Sequence, residues 1–326
     1  MNKTTRNMLL GAGITAVAVA GATASANAVT KYLVNCTLDR ELPGSWAQVR
    51  SLFQANTGTD THEILAEKTK HLQNLDLDPV EITSYDGHTL SGYWRPARDP
   101  KRIILAMHGW RSSWADDFGV ISDFWYDNGC SVLYAEQRGH GDSEGEYIGM
   151  GLLEQYDCRE WSRYLTNTYG KDIPLYLAGV SMGATTVMLS ADLNLPSNVR
   201  GMIADCGFTS LDEIWQHIAK DALHLPYELR KKYAHRLCER KLQITNSDCS
   251  TIQVLKDSTI PSLFIHGTED PIVPVEMTYR NYEACTAPKH LFIVPGAGHG
   301  GSYLADPAGY QSMILQFFSL YDGTTT

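Results

Sequence analysis

A chain of 326 residues with 43% hydrophobic and 20% charged side chains can bury a large core, and its composition is neither disordered nor fibrous. Its formal net charge of −10, from 37 acidic against 27 basic residues, argues against nucleic acid as a partner, because phosphate binding needs clustered Lys and Arg. No internal repeat, phosphate-binding glycine loop, dinucleotide fingerprint or Cys/His metal spacing occurs, so neither cofactor nor metal is implied.

The amino terminus reads as an export segment. Met1 to Asn7 carries Lys3 and Arg6, and the 22 residues from Met8 to Val29 carry no charge. A basic start before such a run predicts that residues 1–30 are a signal peptide or an N-terminal membrane anchor. Ala24-Ser25-Ala26 and Ala26-Asn27-Ala28 both fit a small-x-small cleavage site, whereas the length of the run suffices to cross a bilayer. Anchoring is the reading adopted, with secretion as the alternative, and in both the remaining chain lies outside the cytoplasmic membrane. Leu33-Val34-Asn35-Cys36 is a poor lipoprotein signal, since asparagine stands where a small residue should precede the cysteine.

Residues 31–78 read as a helical connector. Ile64, Leu65, His71, Leu72 and Leu75 fall at helical spacing after a plausible N-cap at Thr59 or Asp60, and the helix should lie across the following domain. That domain, residues 79–326, opens with alternating segments either side of Asp86-Gly87, a hairpin signal. Apolar runs at about 102–108, 131–136, 175–180, 201–205, 261–266 and 290–294 complete eight strands, and helical stretches separate them. The pattern predicts an α/β protein, a mostly parallel eight-stranded sheet covered by helices on both faces. Such sheets bind ligands at the carboxyl ends of their strands. Seven cysteines are scattered without a framework spacing; Cys130 and Cys206 read as buried small hydrophobes, and Cys238 and Cys249 are a possible pair in an oxidising compartment.

The chemistry-bearing residues fall at those strand ends. Gly179-Val180-Ser181-Met182-Gly183 follows the apolar run Leu175 to Ala178 and opens a helical pattern. A sharp strand-to-helix turn of this kind lifts the serine hydroxyl out of a strained backbone. The N–H of Met182, at the positive end of the helix, can then face a developing oxyanion. Downstream, Asp270 lies just past the strand Pro261 to Gly267 in a loop braced by Pro271 and Pro274, and His299 lies in the glycine-rich loop after Leu291 to Val294. Neutral His299 would take the proton of Ser181 as it attacks a carbonyl, while Asp270 fixes the imidazole tautomer and stabilises its cation. Glu269 and Asp205 are the other carboxylates placed to serve as the acid.

Over about residues 79–320 the chain resembles the α/β-hydrolase superfamily, and within it the bacterial membrane-anchored or secreted serine hydrolases similar to lysophospholipases and acyl-peptidases. The resemblance rests on Asp86 to Tyr93, Met107-His108-Gly109-Trp110, Gln137 to Ser143, the Ser181 turn, His266 to Asp270, and Gly298-His299-Gly300. It implies the α/β-hydrolase fold and a triad of Ser181, Asp270 and His299, in that chain order, with Asp270 preferred over Glu269 and Asp205. It also implies that the second oxyanion donor, beside Met182, is the backbone N–H of Trp110. His-Gly-Trp here replaces the His-Gly-Gly-Gly run of many lipases and esterases, which leaves the bulky Trp110 at the acyl pocket as a substrate contact. In this resemblance Arg138 to Ser143 shapes a loop, so that His140 and Ser143 are neither base nor nucleophile. Dehalogenase and epoxide hydrolase relatives carry aspartate at the turn, where this chain has serine.

Residues 207–260 exceed what one crossover requires and read as a helical cap over Ser181, with Phe208 and Trp215 lining the substrate pocket. The basic run Lys231, Lys232, Arg236, Arg240 and Lys241 reads as a solvated helix face, with attraction of an anionic head group as the other reading. The expected activity is a cofactor-independent serine hydrolase cleaving a carboxylic ester of small-molecule or lipid-like type through an acyl-enzyme. An amidase or peptidase of the same fold is the alternative, and a catalytically silent envelope-anchored binding protein is the non-enzymatic one.

Overall fold

The structure of the protein, a computed structural model, describes residues 25–42, 59–247 and 249–323. Residues 1–24, which hold the basic start and most of the uncharged run, lie outside the described residues. The described elements are helix α1 (residues 25–38), α2 (Thr59–Gln73), the hairpin β1 (Asp78–Thr83) and β2 (Thr89–Arg95), and β3 (Arg102–Met107). Then come α3 (Trp114–Phe118), α4 (Ser122–Asp127), β4 (Cys130–Ala135), α5 (Glu154–Tyr169), β5 (Leu175–Val180), α6 (Met182–Ser190) and β6 (Val199–Asp205). The carboxyl-terminal part holds α7 (Leu211–His217), α8 (Lys231–Leu242), α9 (Thr251–Asp257), β7 (Ser262–Gly267), α10 (Val275–Ala284), β8 (Lys289–Val294), α11 (Ser302–Ala305) and α12 (Pro307–Tyr321).

Eight strands among the described residues form one sheet in the order β1-β2-β4-β3-β5-β6-β7-β8. The hairpin turns at Asp86-Gly87, where Gly87 has φ 91°, and pairs Ile82 with Leu90. β2 runs antiparallel to β4, and from β4 onward every pairing is parallel. Parallel strands covered on both faces read as continuous apolar runs, and β3, β4 and β7 are buried throughout. Alternation along β3 divides the core: Ile103, Leu105 and Met107 pack with Trp161, Leu165 and Val187 on one face, Ile104 and Ala106 with Phe118, Trp125 and Phe317 on the other. The expected α/β-hydrolase arrangement is therefore observed.

Three features depart from the sequence-based boundaries. A single helix, α1, crosses residue 30, where the export segment was expected to give way to the connector, and it docks on the domain through Val34 and Leu38. The second helix begins at Thr59 itself, so that Thr59 and Asp60 open the helix; its Leu72 is fully buried against the sheet's second face. The cap is shorter than 207–260. A bridge between Ser210 and Ser250 closes its base, and α9 beyond it packs on α6 and α10 as an ordinary crossover helix. All seven cysteines are unpaired, Cys238 and Cys249 included. No helix among the described residues is long and apolar enough to cross a membrane.

Candidate active site

Ser181 stands between β5 and α6 with φ 55° and ψ −116°, a conformation that costs a β-carbon-bearing residue about 1–3 kcal/mol. The strand and helix approach so closely that a Cβ on Gly183 would lie 1.8 Å from the Met107 carbonyl oxygen, and one on Gly179 would lie 2.2 Å from Gly183. The two glycines of the motif are thus required by space. The N–H of Ser181 donates to the Asp205 carbonyl at 2.8 Å and ties the turn to β6.

His299 reaches the same point from the loop after β8. Its Nε2 is 2.9 Å from Ser181 Oγ, and its Nδ1 is 2.7 Å from Asp270 Oδ2. With Asp270 ionised, Nδ1 carries the proton and Nε2 accepts from the serine hydroxyl. Asp270 is fixed from several sides: Oδ1 accepts from the N–H groups of Ile272 (2.8 Å) and Val273 (2.9 Å), and Oδ2 accepts also from His266 Nε2 (3.0 Å). Burial opposes ionisation of Asp270, but the bonds from His266 and His299 outweigh it and hold the carboxyl well below the usual range. Burial likewise opposes charging of His299, but the ionised Asp270 bonded to its Nδ1 prevails and holds the imidazole above 6.5.

The other acid candidates are placed differently. Asp205 Oδ1 accepts from Ser302 Oγ at 3.1 Å, and burial pushes its carboxyl up; Glu269 faces solvent. His140 and Ser143 act within loops: His140 Nε2 accepts from the Arg111 N–H (2.9 Å), and Ser143 Oγ donates to the Glu136 carbonyl (2.6 Å). Burial pushes His140 down to about 4 and His108 to about 3, so both are neutral supports. His108 donates from Nδ1 to the Gly109 carbonyl (2.8 Å) and accepts the Gln137 N–H at Nε2 (3.1 Å).

The loop after β3 passes directly beside the nucleophile, since a Cβ on Gly109 would lie 3.4 Å from Ser181 Cβ. Asp117, which sequence reasoning passed over, holds this loop. Its Oδ2 accepts the Gly109 N–H at 2.5 Å and its Oδ1 the Ser112 hydroxyl at 2.6 Å, while burial pushes the carboxyl up to about 6. Met182 opens α6, so its N–H has no acceptor within the helix. Trp110 follows Gly109, and its indole N–H donates to the Thr37 carbonyl of α1 at 2.9 Å.

Two cavities meet at Ser181 and His299. One, of about 640 Å³, lies beneath the cap and is lined by Trp110, Phe208 and Trp215, the expected substrate contacts, and by residues of α1. The other, of about 880 Å³, is more polar and lies on the α2 side, between Lys70, Asn74, Ser112 and Asp116. Cys206, Asp270 and His299 bring ligand-type atoms within 4.8 Å of one another. Both imidazole nitrogens of His299 are engaged by Ser181 and Asp270, so the grouping suits a proton relay and leaves no nitrogen for a metal. His266, the second imidazole on Asp270, was legible only as a histidine at a strand end; its place four residues before the acid was the available signal.

Comparison with known proteins places the chain among hydrolases. The family model of serine aminopeptidases (S33) matches residues 98–247, and that of TAP-like proteins matches residues 226–324. Among curated proteins the chain is similar to the uncharacterised YqkD of Bacillus subtilis, 27% identical over 75% of this chain and 80% of the relative. An uncharacterised Mycobacterium tuberculosis protein is 29% identical over 74% of this chain and 78% of its own length. Among solved structures, an esterase of Pyrococcus furiosus shares the fold with a TM-score of 0.62 and 23% identity, covering 83% of this chain and 97% of that one. An esterase of Exiguobacterium antarcticum does so with a TM-score of 0.55 and 16% identity, over 74% of this chain and 99% of that one.

Proposed function

Because the chain belongs to the α/β-hydrolase superfamily and is a hydrolase, we propose that it cleaves a carboxylic ester with Ser181 as nucleophile, His299 as general base and acid, and Asp270 as the orienting carboxylate. The observation that carries this reading is the unbroken path of hydrogen bonds from Ser181 Oγ through His299 to Asp270. Ser181 Oγ attacks the ester carbonyl carbon as its proton passes to His299 Nε2. The resulting oxyanion is met by the N–H groups of Met182 and Trp110, a pair of which each member typically contributes about 3–4 kcal/mol. His299 returns the proton to the departing alcohol, leaving an acyl-enzyme. Water, deprotonated by His299, then cleaves that ester and restores Ser181. The acyl part lies in the cavity lined by Phe208, Trp215 and Trp110, and the alcohol leaves through the more polar cleft. The basic start and uncharged run support an extracytoplasmic site of action, on an N-terminal anchor or after cleavage.

An amide substrate is the second reading, favoured by the aminopeptidase model that the chain matches. An aminopeptidase needs a carboxylate to hold the substrate ammonium; the described lining of the cavity beneath the cap contains none, whereas Asp116 and Asp117 line the more polar cavity on the α2 side. The test is turnover of p-nitrophenyl butyrate and of aminoacyl p-nitroanilides by the full chain and by Ser181→Ala, with fluorophosphonate labelling followed by peptide mapping. Ester turnover is expected to fall at least about a thousand-fold in the variant, with the label on Ser181. Equal rates in the two proteins, or an unlabelled Ser181, would sink the mechanism.

A further inference from the structure

Helix α1 lies in the part of the sequence that reads as export segment and connector, yet it reaches the reacting groups. Ala26, Val29, Leu33 and Val34 line the same cavity as Ser181 and His299. The helix is held there by the loop that carries the oxyanion donor. Besides the Trp110 bond to the Thr37 carbonyl, Arg111 donates from Nη2 to the carbonyls of Cys36 (2.9 Å) and Asp39, and from Nη1 to that of Arg40 (3.1 Å). These carbonyls end a helix whose dipole favours a cation. At the other end Arg230 of the cap donates to Asn27 Oδ1 at 3.0 Å. Val34 and Leu38 are core residues shared with Ile214 and Trp215.

The cavity is built for hydrocarbon and has two ends. Thr30 and Thr37, the polar side chains that α1 turns toward it, donate their hydroxyls to the Ala26 and Leu33 carbonyls of their own helix. They offer little to orient a polar ring. The lining begins at Ser181 and His299 and includes Val29, Leu225 and Leu229, which are 48%, 36% and 77% exposed, so the cavity runs from the nucleophile to the surface. An apolar cavity of roughly 150 Å³ holds one benzene ring, so the observed volume of about 640 Å³ accommodates on the order of two dozen carbon atoms.

We propose that α1 is a wall of the acyl-binding site, and that the cavity it closes takes the unbranched chain of a medium- or long-chain acyl ester. The inference rests on Ser181 as the nucleophile, but its test does not need the serine hydroxyl. Full-length Ser181→Ala protein is titrated with cis-parinaric acid, a fluorescent fatty acid, with palmitate as competitor. The same titration is run on Ser181→Ala combined with Leu33→Trp, with Ala26→Trp, and with Leu320→Trp on the far surface. Thermal melts identify which variants are folded, and the two α1 positions give independent chances of a folded one. Saturable binding that palmitate displaces, weakened at least tenfold by bulk at Leu33 or Ala26 and not at Leu320, is the expected result. No saturable binding, or unchanged affinity in a folded α1 variant, overturns the proposal whatever the esterase assay gives. A failure of the nucleophile reading shows separately, as an unlabelled Ser181 in the phosphonate experiment.

Discussion

At Ser181 the hydroxyl proton has its exit toward His299 Nε2, 2.9 Å away, and it can move only when that nitrogen is unprotonated. The pH dependence follows with a definite sign. Burial would lower the affinity of His299 for a second proton, but the ionised Asp270 on its Nδ1 raises it beyond the ordinary value of 6.5. Activity is therefore low in acid, where His299 is a cation, and rises to an alkaline plateau. The expected profile of kcat/KM for p-nitrophenyl butyrate has one ascending limb centred above 6.5, falling about tenfold per pH unit below it. A limb centred below 6.5 would mean that burial prevails at His299. The three residues of this relay were legible because each stands at the end of an apolar strand, two of them among glycines that announce a tight turn. Asp117 and His266 were not. Their work is to hold Gly109 and Asp270: Asp117 leaves no spacing pattern along the chain, and His266 leaves only its place four residues before the acid.

Among the elements, α1 and the loop after β3 depend on each other. The loop passes directly beside Ser181, and its Arg111 has φ 52°, an uncommon backbone for a residue other than glycine. What keeps it there is the fork of its own guanidinium on the carbonyls that end α1. Removing that fork in Arg111→Ala leaves those carbonyls without their cation and loosens the loop after β3, the proposed carrier of an oxyanion donor, together with the helix. The expected loss is about 1.5–3 kcal/mol of stability, read as a fall of several degrees in Tm, with a roughly tenfold lower kcat from the mispositioned donor. Normal kcat with lowered Tm would mean that the loop holds its shape without α1. Sequence reading took the start of α1 for export segment because Ala24 to Val29 is small and uncharged, and such a stretch looks the same whether it faces lipid or a protein cavity. The cap boundary was overextended for a related reason: α9 has the apolar spacing of any helix that packs on something, and only the Ser210–Ser250 bridge separates the layer over the sheet from the layer over the site.

For the whole molecule, the sheet sets the ends of β5 and β8 on the same edge with β6 and β7 between them, and the loop after β8 brings His299 back to Ser181, 118 positions away in the chain. That much was readable from strands alternating with helices, because right-handed crossovers leave few ways to arrange them. How the amino terminus joins the catalytic unit was not, and it bears on where the protein works. With residues 25–38 docked, the uncharged run that remains for a membrane span is Met8 to Ala24, roughly 26 Å at helical rise and at the short limit for a bilayer core. Cleavage after Ala26 or Ala28 would cut within α1 itself, sparing Leu33, Val34 and Leu38. Either fate predicts the same division of the chain. Deleting residues 1–24 leaves α1 whole, so Tm and butyrate turnover should match the full-length protein. Deleting residues 1–38 takes the buried Val34 and Leu38 out of the core, at several kcal/mol for two such side chains, and Tm should fall by roughly 10 °C or more. Melts and initial rates on the two truncations decide it: if both behave like the full-length protein, α1 is an appendage of the export segment, and if only the longer deletion fails, the catalytic unit begins near residue 25.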